Sequence, residues 1–270
     1  MHDFQIRRAI EHGMFIRDCR PPESRGCLLY IHGLGESGLC FEHLLLHPGL
    51  ADRRQLVPDL PGYGRSPWPE QPLDLAAQAD HLAHWLRESE SVVGDTSPLV
   101  VIGHSQGGIV GLLLAESYPD LVAGLVDVDG NKCHDDCVFS GRAAEYSESE
   151  FLKSGFDRLR ETVHRRGRGD MAQRGYYVSL RLADPTTYHR NSVELLARSD
   201  AGDLASRLAA LPMPFCYLAG VPNGVSERSH ALLDAAGVDW IRIEPSGHWP
   251  FIDQPDAFVA ELNRFLASLT

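Results

Sequence analysis

An aliphatic run, Leu99-Val100-Val101-Ile102, breaks at Gly103-His104-Ser105-Gln106-Gly107-Gly108, and a second apolar stretch runs from Ile109 to Ser117 before Tyr118-Pro119. An uninterrupted aliphatic strand suits a position covered on both faces, as in the interior of a parallel sheet. The stretch after it reads as a buried helix. A chain that passes from strand to helix through Gly-x-Ser-x-Gly must turn sharply. Glycines two positions to either side of Ser105 remove the Cβ atoms that would collide in such a turn. The turn holds a serine hydroxyl above the sheet edge, and the free N–H groups of the new helix face the place where negative charge would develop. Ser105 is the candidate nucleophile.

The remaining chain repeats this alternation. Cys27–Ile31, Gln55–Asp59, Leu121–Val128, Phe215–Ala219 and Trp240–Ile243 are further strand candidates. Leu75, Ala79, Leu82 and Leu86 recur at helical spacing between Leu73 and Arg87, as do Phe258, Val259, Leu262, Phe265, Leu266 and Leu269 from Asp256 onward. Strand–helix alternation predicts an α/β fold, a mostly parallel central sheet with helices on both faces. Residues 131–203 break the rhythm, with no clear strand and about half of the Lys and Arg residues. Ser147 followed by Glu150 reads as a capping box that opens a helix at Glu148. The expected organisation is a core made of 1–130 and 204–270, with 131–203 inserted as a helical cap over one end of the sheet.

Composition closes off other classes. A formal net charge of −12 lacks the cationic surface that non-specific nucleic-acid binding requires, so no nucleic-acid partner is expected. No apolar run reaches the roughly 18–20 residues that span a bilayer, and Met1-His2-Asp3-Phe4 does not open a basic-then-apolar leader. The expectation is a cytoplasmic protein without a membrane partner. The six cysteines do not suggest a disulfide framework in a chain of 270 residues. Cys133-His134-Asp135-Asp136-Cys137 groups metal-ligand types, but a structural zinc site usually draws on two such clusters and there is no second one. Neither a metal nor a cofactor is expected.

A serine hydroxyl needs a base to become nucleophilic. Among the 13 histidines, His248 lies in Ser246-Gly247-His248-Trp249-Pro250, between the last strand and the last helix, on the same sheet edge as Ser105. His104 is adjacent to the serine and expected to point away from it. His32 is expected to hydrogen-bond within its own loop, and His47, His81 and His84 fall on helical segments. His248 is the candidate base.

Four motifs, His32-Gly33-Leu34-Gly35, Asp59-Leu60-Pro61-Gly62-Tyr63-Gly64-Arg65-Ser66, Gly103-His104-Ser105-Gln106-Gly107-Gly108 and Gly247-His248-Trp249-Pro250, occur in an order that resembles a capped member of the α/β-hydrolase superfamily over nearly the whole chain. The resemblance implies an oxyanion hole from the backbone N–H groups of Leu34 and Gln106, each such donor worth about 3 kcal/mol to the transition state. It also places the triad acid about three residues past the strand that ends near Gly220, where this chain has Asn223. An amide orients an imidazole without stabilising its charged form, and Asp→Asn in a serine protease costs about 10⁴ in rate. Some members, haloalkane dehalogenases among them, carry the acid after the neighbouring strand, which here ends in Asp129. Asp129 is the favoured acid, with Asp127, Glu227 and an active Asn223 as alternatives and a turn-capping role as the structural one.

The expected activity is hydrolysis of a carboxylic ester, thioester or lactone through an acyl-enzyme on a small-molecule acyl substrate. Carbon–carbon bond hydrolases and cofactor-free perhydrolases share Ser and His and stay open. So does a non-catalytic binding protein that kept the pocket. Aspartate-nucleophile dehalogenases and epoxide hydrolases are disfavoured by Ser105. Trp249, beside the base, is a candidate pocket wall. Phe151, Phe156, Tyr176, Tyr177 and Tyr188 could line an acyl pocket and Arg174, Arg181 and Arg190 hold an anionic tail, although a packed cap core and local ion pairs account for them more simply. Oligomeric state is not legible.

Overall fold

The computed structural model describes residues 5–89, 92 and 97–269; the Met1–Phe4 segment considered above lies outside them. Eight strands form one sheet: β1 (Gln5–Glu11), β2 (Met14–Arg20), β3 (Cys27–Ile31), β4 (Arg54–Asp59), β5 (Leu99–His104), β6 (Gly124–Val128), β7 (Phe215–Asn223) and β8 (Trp240–Gly247). Their spatial order is β1-β2-β4-β3-β5-β6-β7-β8, with β2 antiparallel to both neighbours and every other pair from β4 to β8 parallel. Helices α1 (Leu75–Glu88), α2 (Gln106–Ser117), α8 (Leu204–Ala209), α9 (Glu227–Ala235), α10 (Pro250–Asp253) and α11 (Pro255–Ser268) follow strands or connect them. This is the expected doubly covered α/β sheet.

β5 is interior for the reason its sequence suggests: Val100, Val101 and Ile102 are buried, and α2 beside it is buried from Gln106 to Ala115. Connections reverse direction at β3, which has β4 on one side and β5 on the other. Loops leaving adjacent strands there diverge and open a crevice at the carboxyl ends, the usual ligand position in an open α/β sheet.

The hairpin β1–β2 is the part of the sheet that hydrophobic patterning misses. β2 carries Arg17 and Asp18 in its middle, yet both are buried. Arg17 pairs with Asp59 and Glu42, each at 2.7 Å, and Asp18 with Arg54 at 2.8 Å. Charges that look like a solvated face are buried against opposite charges on β4 and the loop after β3.

Between β6 and β7 there are helices and turns but no strand: α3 (Val138–Ala144), α4 (Glu148–Glu150), a π turn at Phe151–Gly155, α5 (Phe156–Arg166), α6 (Met171–Leu180) and α7 (Pro185–Asp200) precede α8. Ser147 and Glu150 form the reciprocal capping box at α4. Phe151 stacks on Tyr188 with ring centres 5.8 Å apart, and Phe156 joins them. These aromatics pack on one another within the helical stretch between β6 and β7. Arg190 pairs with Glu148 at 2.8 Å, and Arg174 donates to the carbonyls of Gly167 and Arg168.

Candidate active site

Ser105 sits between β5 and α2 with φ 54° and ψ −121°, a positive φ that a side-chain-bearing residue adopts only under local constraint. The constraint is close packing. A Cβ on Gly103 would overlap the Gly107 carbonyl, and one on Gly107 the carbonyl of Ile31. Gln106 is the first residue of α2, so no intrahelical carbonyl accepts its N–H. Leu34 follows β3 and lines the same small cavity as Ser105.

His248 directly follows β8 and faces that cavity too. Its Nδ1 lies 3.3 Å from Asp129 Oδ2, and Asp129 Oδ1 accepts the Gly220 N–H at 3.1 Å. Asp129 is fully buried at the tip of β6, with φ 48°. Gly224 gives the carboxylate its room, since a Cβ there would overlap both of its oxygens. Asn223 is exposed and pairs with Gly247 through the strand register. Asp127 instead bonds Lys132 Nζ at 2.8 Å, and Glu227 opens α9. The geometry thus brings Ser105, His248 and Leu34 around one cavity with Asp129 behind the imidazole. It draws Asp127 into a separate buried ion pair. Among the described residues the Ser105 hydroxyl forms no hydrogen bond.

Glu36 is the residue that sequence reasoning missed. Its buried Oε2 accepts the Gly33 N–H at 2.7 Å and faces His104 Nδ1 at 2.9 Å, and its Oε1 accepts the Trp249 indole N–H. His104 Nε2 lies 2.7 Å from the His248 carbonyl. The His248 carbonyl can only accept and an ionised Glu36 carboxylate likewise, an arrangement that favours hydrogen on both ring nitrogens of His104. Burial draws His104 down, but the Glu36 carboxylate and its hydrogen bond outweigh it and the net direction is up. Burial likewise pushes Glu36 up, and the His104 charge with three hydrogen bonds reverses that to about 2. One carboxylate thereby ties together the loop after β3, the serine turn and the histidine loop. The available signal was a lone acid among the small residues of Gly33-Leu34-Gly35-Glu36-Ser37-Gly38. His32 similarly spans two loops, its Nδ1 on the Gly33 carbonyl and its Nε2 accepting the Leu60 N–H, and burial lowers its pKa.

Two hollows meet here. The inner one, about 40 Å³, is lined by Gly33, Leu34, Ser105 and His248 at the strand ends and by Ser140, Tyr176 and Leu195 from the helices between β6 and β7. The outer one, about 710 Å³, runs from His248 past Val225 and Gly247 to α6. Phe139, Asp136, His248 and Trp249 border both. Of the aromatics considered for an acyl pocket, only Tyr176 reaches either hollow, and Arg174, Arg181 and Arg190 line neither. Cys133 and Asp136 serve a turn: the Asp136 carboxylate accepts from the backbone of Lys132 and Ser226 and from the hydroxyls of Ser226 and Ser229. Among the described residues no helix is long and apolar enough to cross a membrane.

A sheet of this order with a serine turn after its central strand defines an α/β-hydrolase. A model of the alpha/beta hydrolase family matches residues 28–261, and the chain belongs to that family of enzymes. It is 26% identical over 258 residues to a pimeloyl-[acyl-carrier protein] methyl ester esterase of Aeromonas hydrophila, covering 88% of this chain and 94% of the relative. Lipase LipV of Mycobacterium tuberculosis is 41% identical over 108 residues, 40% of this chain and 38% of the lipase. A thermophilic esterase from Thermogutta terrifontis superposes with a TM-score of 0.76 at 22% identity, covering 98% of this chain and 99% of that one, a likeness of fold.

Proposed function

We propose that this hydrolase cleaves carboxylic esters, thioesters or lactones by way of an acyl-enzyme. Ser105 Oγ attacks the carbonyl carbon as His248 takes the hydroxyl proton, and the resulting oxyanion is held by the N–H groups of Leu34 and Gln106. When the C–O bond to the leaving group breaks, or the C–S bond of a thioester, His248 returns the proton to the departing oxygen or sulfur. Water then repeats the sequence, releasing the acid and restoring Ser105. The net change is ester plus water to acid plus alcohol. Asp129 fixes the imidazole tautomer and stabilises its charged form.

The carrying observation is the His248 Nδ1 contact to the buried Asp129 carboxylate at 3.3 Å. It supports Asp129 as the third member, because a carboxylate lies behind the imidazole where Asn223 would offer only an amide. It therefore favours catalysis over a binding relic. Esterase and lipase relatives along the chain support the ester reading. Residues 131–203 act in this reading as the cap, with Ser140, Tyr176 and Leu195 roofing the cavity at Ser105 and Trp249 forming its wall. The test is a fluorophosphonate probe with ester turnover measured in parallel. The expected result is covalent labelling at Ser105 and loss of both labelling and turnover in Ser105→Ala. Full turnover in that variant would sink the mechanism.

A further inference from the structure

Which side of the scissile bond each hollow serves follows from the proton path. The leaving-group oxygen takes its proton from His248, so the leaving group must lie on the imidazole side of Ser105. The 710 Å³ outer hollow opens on that side, bordered by His248 but by neither Ser105 nor Leu34. The acyl group remains against the oxyanion loop, in the 40 Å³ hollow that contains Leu34, Ser105, Tyr176 and Leu195.

The volumes then select the substrate. A cavity of roughly 150 Å³ is what admits benzene, and one water-sized group needs about 10–15 Å³. An inner space of 40 Å³ is well below a benzene-sized cavity and suits a short chain such as acetyl or propionyl. Its walls are fixed. Tyr176 and Leu195 are buried, and Tyr176 is packed against Phe139 and Trp249 while its hydroxyl meets that of Tyr188 at 3.1 Å. The outer hollow is large enough for a ring-bearing alcohol. Asp135, Asp136, Asp170 and Asp253 line it against one cation, Arg166, which itself lies over the Phe139 ring. That balance repels an anionic leaving group.

Resting on the serine-hydrolase reading above, we propose that the enzyme is selective for short-acyl esters of bulky alcohols that carry no negative charge. The acyl group fills the inner hollow, the alcohol occupies the outer one, and water hydrolyses the ester to a short carboxylic acid and the free alcohol.

Steady-state kinetics on two ester series tests this. With benzyl alcohol held constant, kcat/KM is expected to fall at least tenfold from acetyl to hexanoyl. With acetyl held constant, benzyl acetate is expected to exceed methyl acetate at least tenfold and 4-carboxybenzyl acetate at least fivefold. Leu195→Ala enlarges the inner hollow and is expected to move the acyl optimum to longer chains; if that variant does not fold, the wild-type series alone decides. Benzyl hexanoate turned over as well as benzyl acetate, or methyl hexanoate preferred over benzyl acetate, overturns the assignment. Fluorophosphonate labelling of Ser105 with no turnover of any short-acyl ester overturns it while leaving the nucleophile in place. No labelling and no turnover at all would remove the serine-hydrolase reading and this inference with it.

Discussion

Glu36→Gln removes one negative charge from beneath the site while keeping the side chain's shape. All three groups around the Glu36 carboxylate are donors: the Gly33 N–H at 2.7 Å, the His104 Nδ1–H at 2.9 Å and the Trp249 indole N–H. Glutamine turns one acceptor oxygen into a donor, so at least one buried N–H is left facing another. The magnitude follows from the carboxyl being held at about 2 against an ordinary 4.5. At 1.36 kcal/mol per pH unit that is about 3 kcal/mol, in line with the roughly 3–5 kcal/mol lost when one partner of a buried ion pair is removed. The folded value lies below the unfolded one, so this stabilisation is complete above about pH 4.5 and drains away as pH falls towards 2. Urea unfolding of both proteins, followed by tryptophan fluorescence at pH 7, 5 and 3, measures it. The expected gap is about 3 kcal/mol at pH 7 and less than about half of that at pH 3. A gap under about 0.5 kcal/mol at pH 7, or one that stays constant down to pH 3, would show that the carboxylate does not hold these loops.

Asp129→Asn is expected to lower kcat by about 10³–10⁴ with KM little changed, read by initial rates alongside an unaltered thermal transition; retention of more than a tenth of the rate would return the acid's role to another residue. Lys132→Met strands the Asp127 carboxylate, since both partners of that 2.8 Å pair are 1% exposed. A stability loss of about 3–5 kcal/mol is expected by denaturant titration, with Asp127→Leu in the same chain recovering most of it.

Among the described residues six of the eight strands were legible, the interior ones because burial on both faces leaves continuous aliphatic runs, as in Cys27–Ile31, whose bounds matched, and the edge strand β8 by its short apolar start at Trp240–Ile243. β1 was hidden because it is a largely exposed edge strand, and β2 by Arg17 and Asp18, whose partners Asp59 and Arg54 are some 40 residues away in sequence. Local periodicity carries no trace of such pairing. Ser105 and His248 could be read because a strained turn and a loop at the sheet edge leave local marks. The position of Asp129 was open to argument only because Asn223 departs from the usual pattern, and its contact with His248 is a tertiary fact. The arginines considered for an anionic tail line neither hollow, and no spacing rule could have told an ion-paired arginine from a ligand-binding one.

In the proposed triad the carboxylate comes from the tip of β6, which leaves the turn at residues 223–226 outside proton transfer, with Gly224 giving that carboxylate its room. The same turn forms one bank of the vestibule through which an alcohol would depart. In the proposed reading the alcohol side can therefore be remodelled at Asn223 and Val225 without moving the carboxylate that serves His248.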